Sequence, residues 1–187
     1  MNDPYALPDG TLRNLLGITD PAQLAAAEAD ITHATLIRIA AHPVPGSYDL
    51  PHLQAFHRAI FGLVYEWAGQ LRTVEISKET GFCRTEHLEA FAGSVFAGVP
   101  APSQLAALPR SAFLDRLTSL YGDINALHPF REGNGRTQRA FLSQLATESG
   151  YQLSWRLLDA EQNRRASIQS HNGDDGALRA MLDRLLT

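Results

Sequence analysis

Twelve consecutive residues, His128-Pro129-Phe130-Arg131-Glu132-Gly133-Asn134-Gly135-Arg136-Thr137-Gln138-Arg139, combine a proton acceptor, a hard oxygen ligand, a glycine-rich turn and two spaced arginines. An imidazole titrating near 6.5 is neutral in a large fraction of molecules at working pH and can take a proton. Glycines on both sides of Asn134 free the backbone for positive φ and can turn N–H groups toward one point. A helix is predicted to begin directly afterwards, so its unpaired N–H groups face the same point. Arg136 and Arg139, three apart, share one face of its first turn. Glu132 is suited to Mg²⁺ held jointly by a carboxylate and nucleotide phosphates. Together these parts describe a polyphosphate cradle with a base on its rim.

No serine or cysteine stands in the run, so an enzyme-bound intermediate has no obvious nucleophile. The simplest chemistry is in-line attack by an external hydroxyl whose proton passes to His128. Positive charge and helix-terminal N–H groups would stabilise the charge developing on the phosphorus oxygens. Spacing alone does not decide between attack on the α- and on the γ-phosphate. Pro129 biases His128 away from right-handed helical geometry and sets it at the loop entrance, and Phe130 reads as a core anchor.

The elements that must position this run are mostly helical. Asp20-Pro21 starts a helix that runs to about residue 41, where His42-Pro43-Val44-Pro45-Gly46 breaks it. A second helix begins near Asp49, with Leu53, Phe56, Ile60 and Val64 as its apolar stripe. Residues 70–84 mix Leu71, Val74 and Ile76 with polar neighbours around a Thr80-Gly81 turn and read as a short β-hairpin or flap. Helices resume from Thr85, at residues 111–126 with Phe113, Leu114, Leu117, Leu120, Tyr121 and Ile124, and at 135–149 before Gly150. Asp159 caps another, and the turn at residues 171–176 leads to a last helix with Leu178, Met181, Leu182 and Leu185. The reading is one all-α domain over residues 1–187 with a small β excursion.

The bulk numbers bound the function. At 187 residues, 44% hydrophobic and 19% charged, the chain can bury a full core. A net charge of -4 argues against a role in coating nucleic acid, though not against a local cationic pocket. The single Cys83 excludes an internal disulfide and a cysteine-rich zinc site. No stretch approaches the apolar length of a membrane span and the N-terminus lacks a basic, apolar leader, so the expected location is the cytoplasm.

The run resembles the signature of the Fic family, His-Pro-Phe-x-(Asp/Glu)-Gly-Asn-Gly-Arg with a second Arg three residues on, and every position from His128 to Arg139 matches. Tyr65-Glu66-Trp67-Ala68-Gly69 followed by Arg72-Thr73 and Ile76-Ser77-Lys78 is similar to the family's approach to its flap, and residues 165–171 to the C-terminal helix of small bacterial toxin and secreted-effector members. The resemblance implies an all-α Fic fold with a β-hairpin flap and an adenylyltransferase that moves AMP from ATP to a protein hydroxyl. It implies His128 as base, Glu132 on Mg²⁺, and Gly133, Asn134, Gly135, Arg136 and Arg139 on the phosphates. The flap, with Val74, Glu75, Ile76, Ser77 and Lys78, would dock the target by main-chain pairing. Asn163, Arg165 and Asn172 are candidates for the adenine side. A kinase-like branch carries Lys where this chain has Gly135, which favours AMP transfer; phosphocholine transfer and a silent nucleotide-binding module remain alternatives.

Many members carry an inhibitory helix of pattern (Ser/Thr)-x-x-x-Glu-(Gly/Asn). Thr85 with Glu89 is the one Ser/Thr–Glu pair at that spacing, and Ala90 follows where Gly or Asn is required. The pair reads instead as an N-cap and an exposed glutamate. Inhibition is therefore expected from a separate antitoxin carrying the pattern, and that class implies a type II topoisomerase subunit as target. A Fic domain of an effector secreted into a host cell is the other setting the resemblance allows. His52 and His57, five apart rather than four, read as ordinary surface or partly buried histidines rather than metal ligands. Trp67 and Trp155 read as core.

Overall fold

The computed structural model describes residues 3–76 and 81–187. Among them eight α-helices form: α1 Pro21–Ala41, α2 Leu50–Phe61, α3 Leu88–Ala97, α4 Pro102–Ala106, α5 Arg110–Leu127, α6 Asn134–Glu148, α7 Ala160–His171 and α8 Gly176–Leu185. Three starts are the side-chain caps that the sequence advertises. Asp20 accepts from Gln23 N–H, Asp49 from His52 N–H and Asp159 from Gln162 N–H.

Helix α5 supplies the centre of the main core. Its Phe113, Leu114, Leu117, Leu120, Tyr121, Ile124 and Leu127 are buried against Phe141, Leu142 and Leu145 of α6 and Leu178, Met181 and Leu182 of α8. Side chains of this size contribute roughly 1.5–3 kcal/mol each when fully buried. A second cluster holds Tyr5, Leu24, Ile60, Phe61, Val64, Tyr65 and Trp67. Helix α2 takes part in both clusters, so the loop between α5 and α6 has a packed floor. No helix among the described residues is long and apolar enough to cross a membrane.

Two expectations change in detail. Helix α2 stops at Phe61, and Val64 is buried from a turn in which both Val64 and Tyr65 N–H donate to Phe61 O. The segment at Thr85 is a short 3₁₀ turn, Thr85–His87, before α3, and the Thr85 hydroxyl donates to Glu75 rather than capping a helix.

The hairpin expected at residues 70–84 has its tip, residues 77–80 including Ser77 and Lys78, outside the described residues. No extended strand forms in the described residues on either side. The two limbs are fastened instead by side chains. Arg72 donates to Val74 O on one limb and Cys83 O on the other, and the Glu75 carboxylate accepts from Thr85 N–H and Oγ1 at 2.9 and 2.8 Å. These bonds hold the Glu75 carboxyl below its ordinary range.

Candidate active site

Helix α5 ends on His128, whose N–H still donates to Ile124 O at 3.0 Å. Its backbone is left-handed, φ 42° and ψ 61°. The residue before a proline is more often extended, and a non-glycine side chain in this region costs about 1–2 kcal/mol. Arg72 offsets that cost, its Nε–H donating to His128 O and its backbone N–H to Pro129 O, both at 2.9 Å. Although Arg72 is 2% exposed, its three donor nitrogens all have acceptors. Burial lowers its pKa, and Glu75 opposes the shift. One buried guanidinium thus joins the loop after α5 to the described residues on both sides of 77–80.

The imidazole of His128 has its Nδ1 3.3 Å from Asn125 O. A carbonyl oxygen only accepts, so this contact puts the proton of the neutral ring on Nδ1 and leaves the lone pair on Nε2. The loop that follows closes on itself. Asn134 accepts from Phe130 N–H at 2.9 Å through Oδ1 and donates to Phe130 O at 2.7 Å through Nδ2. Phe130 is a core anchor, as expected, and stacks 3.9 Å from the ring of His57.

Only one of the two loop glycines uses its conformational freedom. Gly133 has φ 80°, and a Cβ there would lie 2.3 Å from Phe61 Cζ. Gly135 has no positive φ; a Cβ on it would lie 3.2 Å from an Arg139 guanidinium nitrogen. The first closed hydrogen bond of α6 runs from Thr137 N–H to Gly133 O, so the N–H groups of residues 134–136 precede it and point out of the helix end. An N-terminus of this kind is the type of end that can receive an anion.

The two arginines part ways. Arg136 donates to Glu28 and Thr32 of α1, lies 3.6 Å from Glu132, and has its guanidinium carbon 4.7 Å from the centre of the Phe61 ring. Glu28 also accepts from the Tyr65 hydroxyl, whose pKa is raised by burial and then by this carboxylate. Arg139 pairs with no carboxylate among the described residues; burial lowers its pKa, and Tyr121 opposes that. It lines a cleft of ≈ 550 Å³ with Arg136, Leu36, Ile39, Phe56 and Trp155. A partly buried cation that has no carboxylate partner among the described residues is suited to receive an anion.

Glu132 uses Oε1 to accept from Gly133 N–H at 2.8 Å and is about half exposed. No group of three or more potential metal ligands forms among the described residues. That is compatible with Mg²⁺, which needs only one or two protein carboxylates when phosphates complete its shell.

The adenine candidates are dispersed. Asn163 accepts from the Tyr121 hydroxyl at 2.7 Å, on the Arg139 side of α5. Arg165 is exposed and pairs with Glu161, and Asn172 is exposed at the end of α7. Trp67 is core as expected, whereas Trp155 is half-buried and donates to Ser143 Oγ at the cleft.

His57 corrects the reading of an ordinary surface or partly buried histidine. It is fully buried, accepts from Gly69 N–H at Nδ1 (2.8 Å) and donates from Nε2 to Glu132 O (2.9 Å). Desolvation lowers its pKa to about 4, so it is a neutral brace beneath the loop. Its spacing held the signal: 53, 56, 57 and 60 are i, i+3, i+4 and i+7, the core face of α2. His52 is likewise buried, accepting from Tyr48 N–H and donating to Val44 O.

A family model described as the Fic/DOC family matches residues 47–146, which span α2 through most of α6. The protein adenylyltransferase VbhT of Bartonella schoenbuchensis is 38% identical over all of this chain, which spans 39% of VbhT's length. A probable protein adenylyltransferase Fic of Salmonella typhimurium is 36% identical over 99% of this chain and 92% of its own. A crystal structure of the N-terminal Fic domain of a putative cell filamentation protein from Bartonella quintana, with bound ADP, superposes with a TM-score of 0.88. It is 25% identical and covers 98% of this chain and 94% of that one.

Proposed function

The chain belongs to the Fic/DOC family, and from that premise we propose that it is a protein adenylyltransferase, moving AMP from ATP to a side-chain hydroxyl of another protein. One observation carries the reading. The loop between the His128 base and the N-terminus of α6 is closed on itself by Asn134, so base and anion site move as one piece. Relatives named protein adenylyltransferase and an ADP-bound neighbour support ATP as the donor.

In this mechanism Nε2 of His128 takes the proton of the acceptor hydroxyl. The oxygen attacks the α-phosphorus in line, a new O–P bond forms, and the bond to the bridging oxygen breaks to release pyrophosphate. The N–H groups of residues 134–136 face the growing negative charge. Arg139 holds the outer phosphates, and Arg136, fastened to Glu28, stands beside the helix mouth. Glu132 would hold Mg²⁺ together with the phosphates, and the ion would supply further charge neutralisation. Gly135 leaves the space beside Arg139 open, which favours the orientation with the outer phosphates on Arg139.

Residues 1–187 are read as one functional domain, with residues 74–83 as the flap that docks the target. The cleft at Arg139 supports regulation in trans. Its apolar walls and cationic rim suit an amphipathic antitoxin helix whose glutamate would occupy Arg139 and exclude the γ-phosphate. On that reading the protein is a toxin and a topoisomerase subunit a candidate target.

Incubation with Mg²⁺, bacterial lysate and ATP labelled at the α-phosphate is expected to label a lysate protein, while γ-labelled ATP leaves it unlabelled. Label from the γ-position would assign a kinase instead, and tight ATP binding with no label from either would leave only a binding module. Arg139→Ala is expected to raise the apparent KM for ATP by about 10- to 100-fold, the loss of a charge-assisted hydrogen bond. An unchanged KM would remove Arg139 from the phosphate site.

A further inference from the structure

The ring of Phe82 lies face to face with the imidazole of His128, with 3.8 Å between centroids and 12° between planes. Phe82 belongs to the return limb of the flap, and that limb is anchored. Cys83 N–H donates to Ala126 O at the end of α5 at 2.9 Å, and Cys83 O accepts from Arg72. The same guanidinium donates to His128 O. Phe82 and His128 are therefore held in register by one buried side chain.

The geometry separates two roles for such a stack. A plug would cover the atom that works. The working atom here is Nε2, because the Nδ1 edge faces Asn125 O, and the Nε2 lone pair lies in the ring plane. A group stacked on the face does not itself cover that edge. What it restrains is rotation about the Cβ–Cγ bond, a broad torsion for histidine. The Nδ1 contact, at 3.3 Å, is long for an N–H···O bond, so the ring face adds a further restraint.

We propose that Phe82 is a positioning residue for proton transfer, holding the His128 imidazole in the plane from which Nε2 reaches the acceptor hydroxyl. This rests on His128 being the base of the proposed transferase. Phe82→Leu keeps apolar bulk and removes the aromatic face; Phe82→Tyr keeps the face. Phe82→Leu is expected to lower kcat for AMP transfer by about tenfold, with the ATP dissociation constant from calorimetry within twofold of the parent. Phe82→Tyr is expected to retain at least half of the parent kcat. The stack also has a signature that needs no turnover: the ring current should shield the carbon-bound imidazole protons of His128 in the NMR spectrum. The shielding should vanish in Phe82→Leu and persist in Phe82→Tyr.

A kcat for Phe82→Leu equal to or above the parent's would overturn the positioning role, as would equal losses in both variants or unshielded His128 protons in the parent. A parent that stacks but transfers nothing to any protein would overturn the transferase reading and the positioning role with it. A parent that transfers AMP without the stack would overturn the positioning role alone.

Discussion

His128→Ala is expected to lower AMP transfer by on the order of 10²- to 10⁴-fold, the usual contribution of a positioned general base. ATP binding should stay within about threefold. The asymmetry follows from what each part of the loop touches. The imidazole stands at the C-terminal end of α5, with one edge toward Asn125 O and one face under Phe82. The groups proposed to meet phosphate stand across the closed loop, at the mouth of α6 and on Arg139. Deleting the ring leaves the Asn134–Phe130 closure and the Arg72 contacts to the backbone of His128 and Pro129 in place, because those contacts use main-chain groups. Alanine tolerates the left-handed backbone somewhat less well than histidine, so a small fall in thermal midpoint is expected and a large one is not. Labelled transfer and calorimetry with Mg-ATP on the same preparation test this directly. Affinity for ATP falling in step with activity would make His128 a nucleotide ligand and remove it from the acceptor side.

The helical parts of the fold could be read from the sequence because their signals are local. Asp20-Pro21, Asp49 and Asp159 cap helices by bonding residues three positions on, and the α5 and α8 stripes follow the helical period. The candidate site run was legible for the same reason, its parts lying within twelve consecutive residues. What escaped was contact between residues far apart in sequence. Arg72 reads as one polar residue in a mixed segment, yet it binds the backbone at positions 74, 83, 128 and 129. Nothing near Phe82 announces that it will meet His128. The division of labour between Arg136 and Arg139 depends on Glu28, a position on α1 that helical propensity alone describes as another surface acid. His57 was hidden differently: its spacing to His52 hid its register with Leu53, Phe56 and Ile60. The hairpin expected at residues 70–84 shows a further limit, since the described residues on its two sides are joined by side-chain bonds that strand periodicity does not encode.

Gly133→Ala is expected to be the most damaging single-methyl change in the loop, and Gly135→Ala, two residues on, to be harmless to the fold. At Gly133 the left-handed backbone costs an L-residue about 1–2 kcal/mol. The added carbon would also lie 2.3 and 2.4 Å from two atoms of the Phe61 ring. That ring cannot retreat, since it is fully buried, stacks on His57 at 4.8 Å and carries the Arg136 guanidinium over its face. Overpacking of this kind costs about 1–3 kcal/mol more. A sum of about 2–5 kcal/mol is a large share of a typical folding free energy and corresponds to a fall of roughly 5–15 °C in Tm at this chain length. Relief by backbone movement would shift the N-terminus of α6 away from the phosphates, so ATP affinity should fall as well. At Gly135 the nearest atom is a terminal nitrogen of Arg139, at 3.2 Å, which can swing aside, and alanine is the better helix former by about 1 kcal/mol. Gly135→Ala should therefore keep or raise Tm while weakening ATP binding through a displaced Arg139. Thermal melts and calorimetry on the two variants separate the roles. A Gly133→Ala protein as stable as the parent would mean that Phe61 yields after all, and unchanged ATP affinity in Gly135→Ala would mean that Arg139 binds phosphate without needing the open space beside it.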